Sequence, residues 1–450
     1  MELRSIRPSS PLVLTLAGVG MLALCTGCGD DDHAQAQPVS PPVQDAVHAH
    51  ADQLIDEGRQ TFRSDTFGDQ TFWGATIKLH QAIAGSAHGG VGSGVSPRSA
   101  LSVGLKVDSD ALPNDVQAQI KNGTADLNDA ATTLALLKLN AVVGVTGFFD
   151  ASGKLTSMGI QCALCHSTVD DAFSPGIGKR LDGWANRDLN VGAIVALAPD
   201  LSAVAQLLKV DEGTVRTVLN AWGPGKFDAQ LLLDGKGFRP DGGSSAVLIP
   251  PAFGLAGVNL ATSTGFGSVT YWNAFVANIE MHGQGTFSDA RLNNATQFPI
   301  ASQAGFASIQ NTPDNITSKL AALHFYQLAI AAPTPPSGSF DPQAAARGAA
   351  VFSAPGRCAT CHVPPLFTEP GWIMHTPEEM GLDDFQASRA PDRGYRTAPL
   401  KGLWTHSKGG FFHDGRFPTL AAVVDHYNSS FGLGLTSSQK SDLIEYLKSL

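Results

Sequence analysis

The chain has 450 residues, enough for two or three domains with cores of their own. Its 43% hydrophobic and 16% charged residues suit a globular protein, and 48 Gly with 27 Pro forecast many loops. A formal net charge of −10 argues against nucleic acid, whose phosphates ask for a basic face, and suits a basic redox partner.

Residues 1–28 read as an export signal. Arg4 and Arg7 form a charged start, and the apolar run from Pro11 to Leu24 is shorter than the ~20 residues that span a bilayer. It ends in "LCTGCGDDD", where small residues before Cys28 resemble a lipoprotein cleavage box with Cys28 as the lipidated residue. Cys25 is the competing site, and ordinary signal cleavage is the alternative. Each reading places the mature protein outside the cytoplasm, in the periplasm, with a lipid anchor to a membrane as the favoured form.

Residues 29–52 are polar, rich in Ala and Pro and without apolar period, and read as a tether. His33, His48 and His50 would otherwise suggest a metal-binding tail. A first large unit runs over 53–335. It predicts a helix at each end of "DEGRQTFRSDTFGDQTFWGATIKLHQAI", helices in "LSAVAQLLKV" and "GTVRTVLNAW", and a closing helix in "ITSKLAALHFYQLAI". The Pro/Gly/Ser stretch 331–340 marks a boundary, and 336–450 forms a second unit. There Asp341 is set to cap a helix with Pro342 at its first position. Thr436 and Gln439 make a capping box ahead of an apolar stripe of Leu443, Ile444, Leu447 and Leu450. The expected fold is mainly α: two cytochrome c-type haem domains, the first with long loops and irregular insertions.

Two of the six Cys lie in the signal region, and the other four form two C-x-x-C-H motifs: Cys162, Cys165, His166 and Cys358, Cys361, His362. Two thiols three positions apart reach the vinyl groups on one edge of a haem, and the following His binds the iron from below. A four-Cys zinc ribbon and a redox disulfide are the rivals. The His after each pair, the wide separation of the motifs and the export signal favour two covalently bound haem c groups.

The sixth position at each iron then decides function: filled, the haem carries electrons; open, it binds O₂ or peroxide. No His lies between His166 and His282, and no Met between Cys165 and Met281. Ligands for the first iron would therefore be remote: His80, His88, Met281, His282 or His324. The open reading is favoured. The second iron has Met374, His375, Met380, His406, His413, His426 and Tyr427 nearby in sequence.

The segments "CATCHVPPLFTEPG", "YRTAPLKGLWTHSKGGFFHDGRFPTLAAVVDHYN" and "LTSSQKSDLIEYLKSL" resemble the C-terminal half of the bacterial di-haem cytochrome c peroxidases. They are also similar to the di-haem enzyme that matures methylamine dehydrogenase. In the peroxidases a Met after the "HDG" turn ligates the second iron; the matching position here is Tyr427, beside His426, as in the methylamine enzyme. The peroxidases also carry a His soon after their first motif, which this chain lacks. "VTYWNAFVANIEMHGQGTFSDARL" resembles the di-haem rubber oxygenases, in which a Trp lies between the haems and a Phe lines the O₂ pocket. Trp272 and Phe287 match those residues, with Met281 and His282 on the same wall; Trp184 and Trp222 are further inter-haem candidates.

These resemblances imply a di-haem oxidoreductase whose first haem reacts with peroxide or O₂ and whose second transfers electrons. His282 is the expected distal acid–base group, with Glu280 next to it as a second candidate. A small redox protein, a cytochrome c or a cupredoxin, would supply electrons, and some relatives also hold a Ca²⁺ between their domains. The alternatives are a di-haem electron carrier without a reaction of its own and an oxygenase acting on an apolar organic substrate.

Overall fold

Helices make most of the regular structure in residues 45–450, the residues described by this computed structural model. The signal, Cys25, Cys28, His33 and most of the tether lie outside the described residues. The first helix, α1 (Ala46–Ser64), already includes the last residues of the stretch read as a tether. That boundary moves because the helix is nucleated by a buried stripe further on, at Gly58, Thr61 and Phe62, and its exposed first turns simply extend it. Four later helices matter for the site at first: α2 (Glu212–Trp222), α3 (Val269–Phe275), α4 (Leu320–Ala329) and α5 (Pro342–Ser353). Two more, α6 (Leu420–Ser430) and α7 (Ser437–Lys448), close the chain.

Two helix pairs share one device. In the pair α1–α4, a Cβ on Gly58 would stand 2.1 Å from the Ala322 carbonyl oxygen. In the pair α5–α7, a Cβ on Gly348 would stand 2.0 Å from the Asp442 carbonyl oxygen. Each glycine thus lets two backbones touch where any side chain would force them apart. Phe62 of α1, fully buried, meets Tyr326 of α4 edge to face at 5.6 Å. Burial of one such ring contributes ~2–3 kcal/mol. The caps behave as their sequences predict. The Asp341 carboxylate accepts from the Gln343 and Ala344 amides, and Thr436 with Gln439 forms the reciprocal box. Leu443 and Leu447 of the predicted stripe are buried.

Among the described residues, strands occur as five two-stranded sheets, none of them anticipated above. The longest is an antiparallel hairpin, β1 (Val145–Phe149) with β2 (Leu155–Ile160), in which Val145 pairs with Ile160. It delivers the chain to Cys162, and the buried Asp69 carboxylate accepts from the Ile160 amide at 3.0 Å to fix its end.

Residues 46–450 form one compact unit, with 331–340 inside it. The seam is held by charge. Arg389, with no exposed surface, is paired with Asp228 at 3.1 Å and Asp234 at 2.8 Å. Arg416 bridges Asp414 and Asp383, and Arg239 reaches Asp383 at 3.0 Å. Among the described residues no helix is long and apolar enough to cross a membrane.

Candidate functional site

Both C-x-x-C-H motifs open into one cavity of about 860 Å³, lined mainly by apolar side chains. The first motif forms a single helical turn, Ala163–His166, directly after the β1–β2 hairpin. The second forms a tight turn, Cys358–Thr360, following α5. The ring nitrogen Nδ1 of His166 lies 3.1 Å from the Pro250 carbonyl, and Nδ1 of His362 lies 3.2 Å from the Phe367 carbonyl. A proton on Nδ1 donated to that carbonyl leaves the Nε2 lone pair free, as a metal-ligating His requires. Burial pushes His166 down to about 4 and lowers His362 as well, so both rings are neutral at pH 7.

All four thiols are free. Burial pushes Cys162 and Cys165 up to about 12 and Cys358 up to about 11. They do not converge as a four-sulfur zinc site. The one cluster of metal-donor side chains among the described residues is Cys361, Glu369 and His375, whose ligand atoms lie within 4.8 Å of one another. Within it His375 Nε2 is 2.7 Å from Glu369, and Thr397 donates to the same carboxylate. No trio of carboxylates of the kind Ca²⁺ takes occurs among the described residues.

The residues therefore fit haem c at both motifs: paired thiols on an apolar cavity, a neutral His with its Nε2 free, and several buried polar atoms on the walls with no partner. Those atoms include Nε1 of Trp222 and Trp272, Nε2 of His413, Oε1 of Glu280, and guanidinium nitrogens of Arg187 and Arg396.

Helix α3 and the wide turn that continues it, Val276–Glu280, build one wall. Ser268 caps α3 by accepting from the Tyr271 amide, and the helix then presents Trp272 to the cavity. The wide turn hands over to Glu280, Met281 and His282, all lining residues. His282 takes a left-handed backbone, φ 59°, unusual for a residue with a side chain. Its ring stacks face to face on Phe72 at 3.6 Å, and Trp73 meets it edge on. Trp73 in turn donates to the Met281 carbonyl at 3.0 Å. Burial pushes His282 down to about 4 and raises the Glu280 carboxyl well above its usual range, with Asp228 adding to the rise.

The candidate residues separate clearly. Trp222, Trp272, Met281, His282, His375, Met380, His406, His413 and Tyr427 line the cavity. His80, His88, His324, Met374 and Trp184 do not, and Trp184 packs instead against Phe253 and Trp404. Phe287, expected on an O₂ pocket, is also absent from the wall. Its strand, Thr286–Ser288, turns the ring into a cluster with Tyr271 and Phe275, 5.6 and 5.8 Å away. At the second motif the two alternatives part. Tyr427 faces the cavity beside Cys358 and Cys361, and burial raises its hydroxyl above the usual range. His426, one residue earlier on α6, has Nε2 2.9 Å from the Met380 carbonyl and is not on the wall. Adjacent helical residues point about 100° apart, so only one of them faces inward.

Arg187, Arg396 and Phe72 were not anticipated. Nothing local marks them, since each is recognisable only by what it meets across the cavity.

No protein-family model matches the chain, and no curated protein matches it. Among solved structures, the chain is similar to a chain of Kuenenia stuttgartiensis hydrazine synthase pressurised with 20 bar xenon. The identity is 18%, the match covers 46% of this chain and 73% of that one, and the TM-score is 0.26. A likeness at that score carries nothing about fold or activity.

Proposed function

We propose that this protein is an exported, peroxidase-like di-haem c oxidoreductase in which the first haem meets peroxide or O₂ and the second relays electrons. One observation carries the reading: two C-x-x-C-H motifs, each with its His oriented through Nδ1 by a backbone carbonyl, face the same apolar cavity. Bound haem supplies redox-active iron, which a protein side chain alone does not.

The chain's own groups do the rest. His166 and His362 would hold the irons through Nε2, their Nδ1 being turned to backbone carbonyls. His282, neutral above about pH 4, accepts a proton at the cavity wall, and Glu280, kept protonated by burial, is the neighbouring proton donor. Trp272 offers an aromatic ring on the wall that both motifs share. Tyr427 is the candidate sixth ligand at the second motif. A basic cytochrome c or cupredoxin is the electron donor that a net charge of −10 suits, and a periplasmic location goes with this reading, supported by the export signal in the sequence. Phe287 lies off the cavity wall, which weighs against the oxygenase alternative.

The test is peroxide-dependent oxidation of reduced cytochrome c by the exported protein, run beside O₂ uptake with an alkene polymer. The reading expects turnover in the first assay and loss of it in His282→Ala. Polymer-dependent O₂ uptake without peroxide turnover favours the oxygenase, and silence in both favours the electron carrier.

A further inference from the structure

Among the described residues, guanidiniums with buried nitrogens have carboxylate partners, with two exceptions. Arg389 has Asp228 and Asp234, and Arg180 has Asp108 at 3.0 Å. Arg187 and Arg396 have none. Both line the cavity, and Nε and Nη1 of Arg187 and Nη1 of Arg396 are buried without any hydrogen-bond partner. An unpaired buried cation is strongly unfavourable, and a guanidinium is shaped to take a carboxylate through two parallel hydrogen bonds. Burial with no offsetting anion pushes both arginines down to about 10.

Each side chain also stands at the seam between distant parts of the chain. Arg396 Nε donates to the Thr262 carbonyl at 2.9 Å and its amide to Ser263 at 2.8 Å. Arg187 follows Asn186, whose amide donates to the Cys165 carbonyl at 2.9 Å, and its guanidinium lies beside Gly409 and His406. The other charges near Arg187 are already matched, since Lys106 and Lys408 both pair with Asp188. Glu369, which accepts from the neighbouring Thr397, is taken up by Thr397 and His375, and no carboxylate acts on the Arg396 guanidinium.

We propose that Arg187 and Arg396 each bind a carboxylate side chain of a haem, so that cofactor carboxylates complete the charge pairing at the seam. The proposal rests on the di-haem reading above and assigns two cofactor-binding residues that lie outside the C-x-x-C-H motifs. Haem c carries two carboxylates, which supply the anions the cavity walls lack.

The experiment is a spectroelectrochemical titration of the haem-loaded protein between pH 5 and 8, on wild type, Arg187→Gln, Arg396→Gln and the two Arg→Lys variants. A count of two haems per wild-type chain comes first, because failure there sinks the di-haem reading and not this one alone. In each Gln variant one midpoint potential is expected to fall, since an unbalanced carboxylate favours the ferric state. That potential is also expected to gain a pH dependence absent from wild type, as the freed carboxyl titrates. Lysine, which keeps the charge, is expected to reverse most of both effects. His406, pushed down to about 4 by burial, stays neutral over this range, and the Glu369–His375 pair is common to wild type and variants. Unchanged potentials in both haem-loaded Gln variants overturn the proposal and leave the guanidiniums to a soluble anion. If a Gln variant carries no haem, the Lys variant decides: two haems with a near-wild-type potential sustain the proposal, and failure to load overturns it.

Discussion

Replacing Gly348 by Ala sets two calculable effects against each other. Alanine favours an exposed helix interior over glycine by ~1 kcal/mol, so propensity alone predicts a more stable α5. The new Cβ, however, would stand 2.0 Å from the Asp442 carbonyl oxygen, 2.6 Å from its carbon and 2.8 Å from Cβ of Tyr446. Non-bonded carbon contacts settle near ~3.5–4.0 Å, so α5 and α7 must part by more than about 1 Å. The obstacle is backbone, which has no rotamer to yield. Overpacking costs ~1–3 kcal/mol, and against unyielding backbone the upper part of that range, ~2–3 kcal/mol, applies, which leaves a net loss of ~1–2 kcal/mol after the propensity gain. Urea denaturation of the haem-loaded protein reads it as a lower midpoint at an unchanged slope. A midpoint equal to or above wild type would refute the reasoning, because propensity would then have won. Since α5 leads into Cys358, a lower yield of attached second haem is expected alongside.

Three further outcomes follow from single side chains. Tyr427→Phe is expected to change the oxidised visible spectrum of one haem while His426→Gln leaves it unaltered; the reverse pattern contradicts the placement of these residues on α6. Arg389→Met leaves Asp228 and Asp234 buried without their cation, a loss of ~3–5 kcal/mol that denaturation would show, and a loss under ~1 kcal/mol counts against the seam being held by that pair. Burial pushes the Asp69 carboxyl up to about 8, so the folded protein keeps a proton that the unfolded chain releases above about 4. Stability therefore falls as pH rises from about 4 towards 8, and Asp69→Asn is expected to flatten that slope when unfolding is followed at pH 5 and pH 8.

Local signals carried well into three dimensions. The Asp341 cap, the Thr436–Gln439 box and the buried positions of α7 depend on residues a few places apart, where spacing alone fixes who meets whom. The β1–β2 hairpin left a weaker trace, an Asp150 turn ending in the left-handed Gly153, and was missed among loops. Long-range features were not legible. That Phe287 turns into an aromatic cluster, or that Arg187 and Arg396 lack anions, depends on neighbours far away in sequence. The choice between His426 and Tyr427 likewise needed the phase of α6 relative to the cavity.

The central claim is that two covalently held haems share one cavity and that the first has an open iron position. Electron paramagnetic resonance of the oxidised protein, on samples shown by alkaline pyridine spectra to carry haem c, tests it most directly. Two haems per chain and a high-spin ferric signal from the first, lost when His166 is replaced, are the expected result. Two low-spin signals with no high-spin component would contradict it.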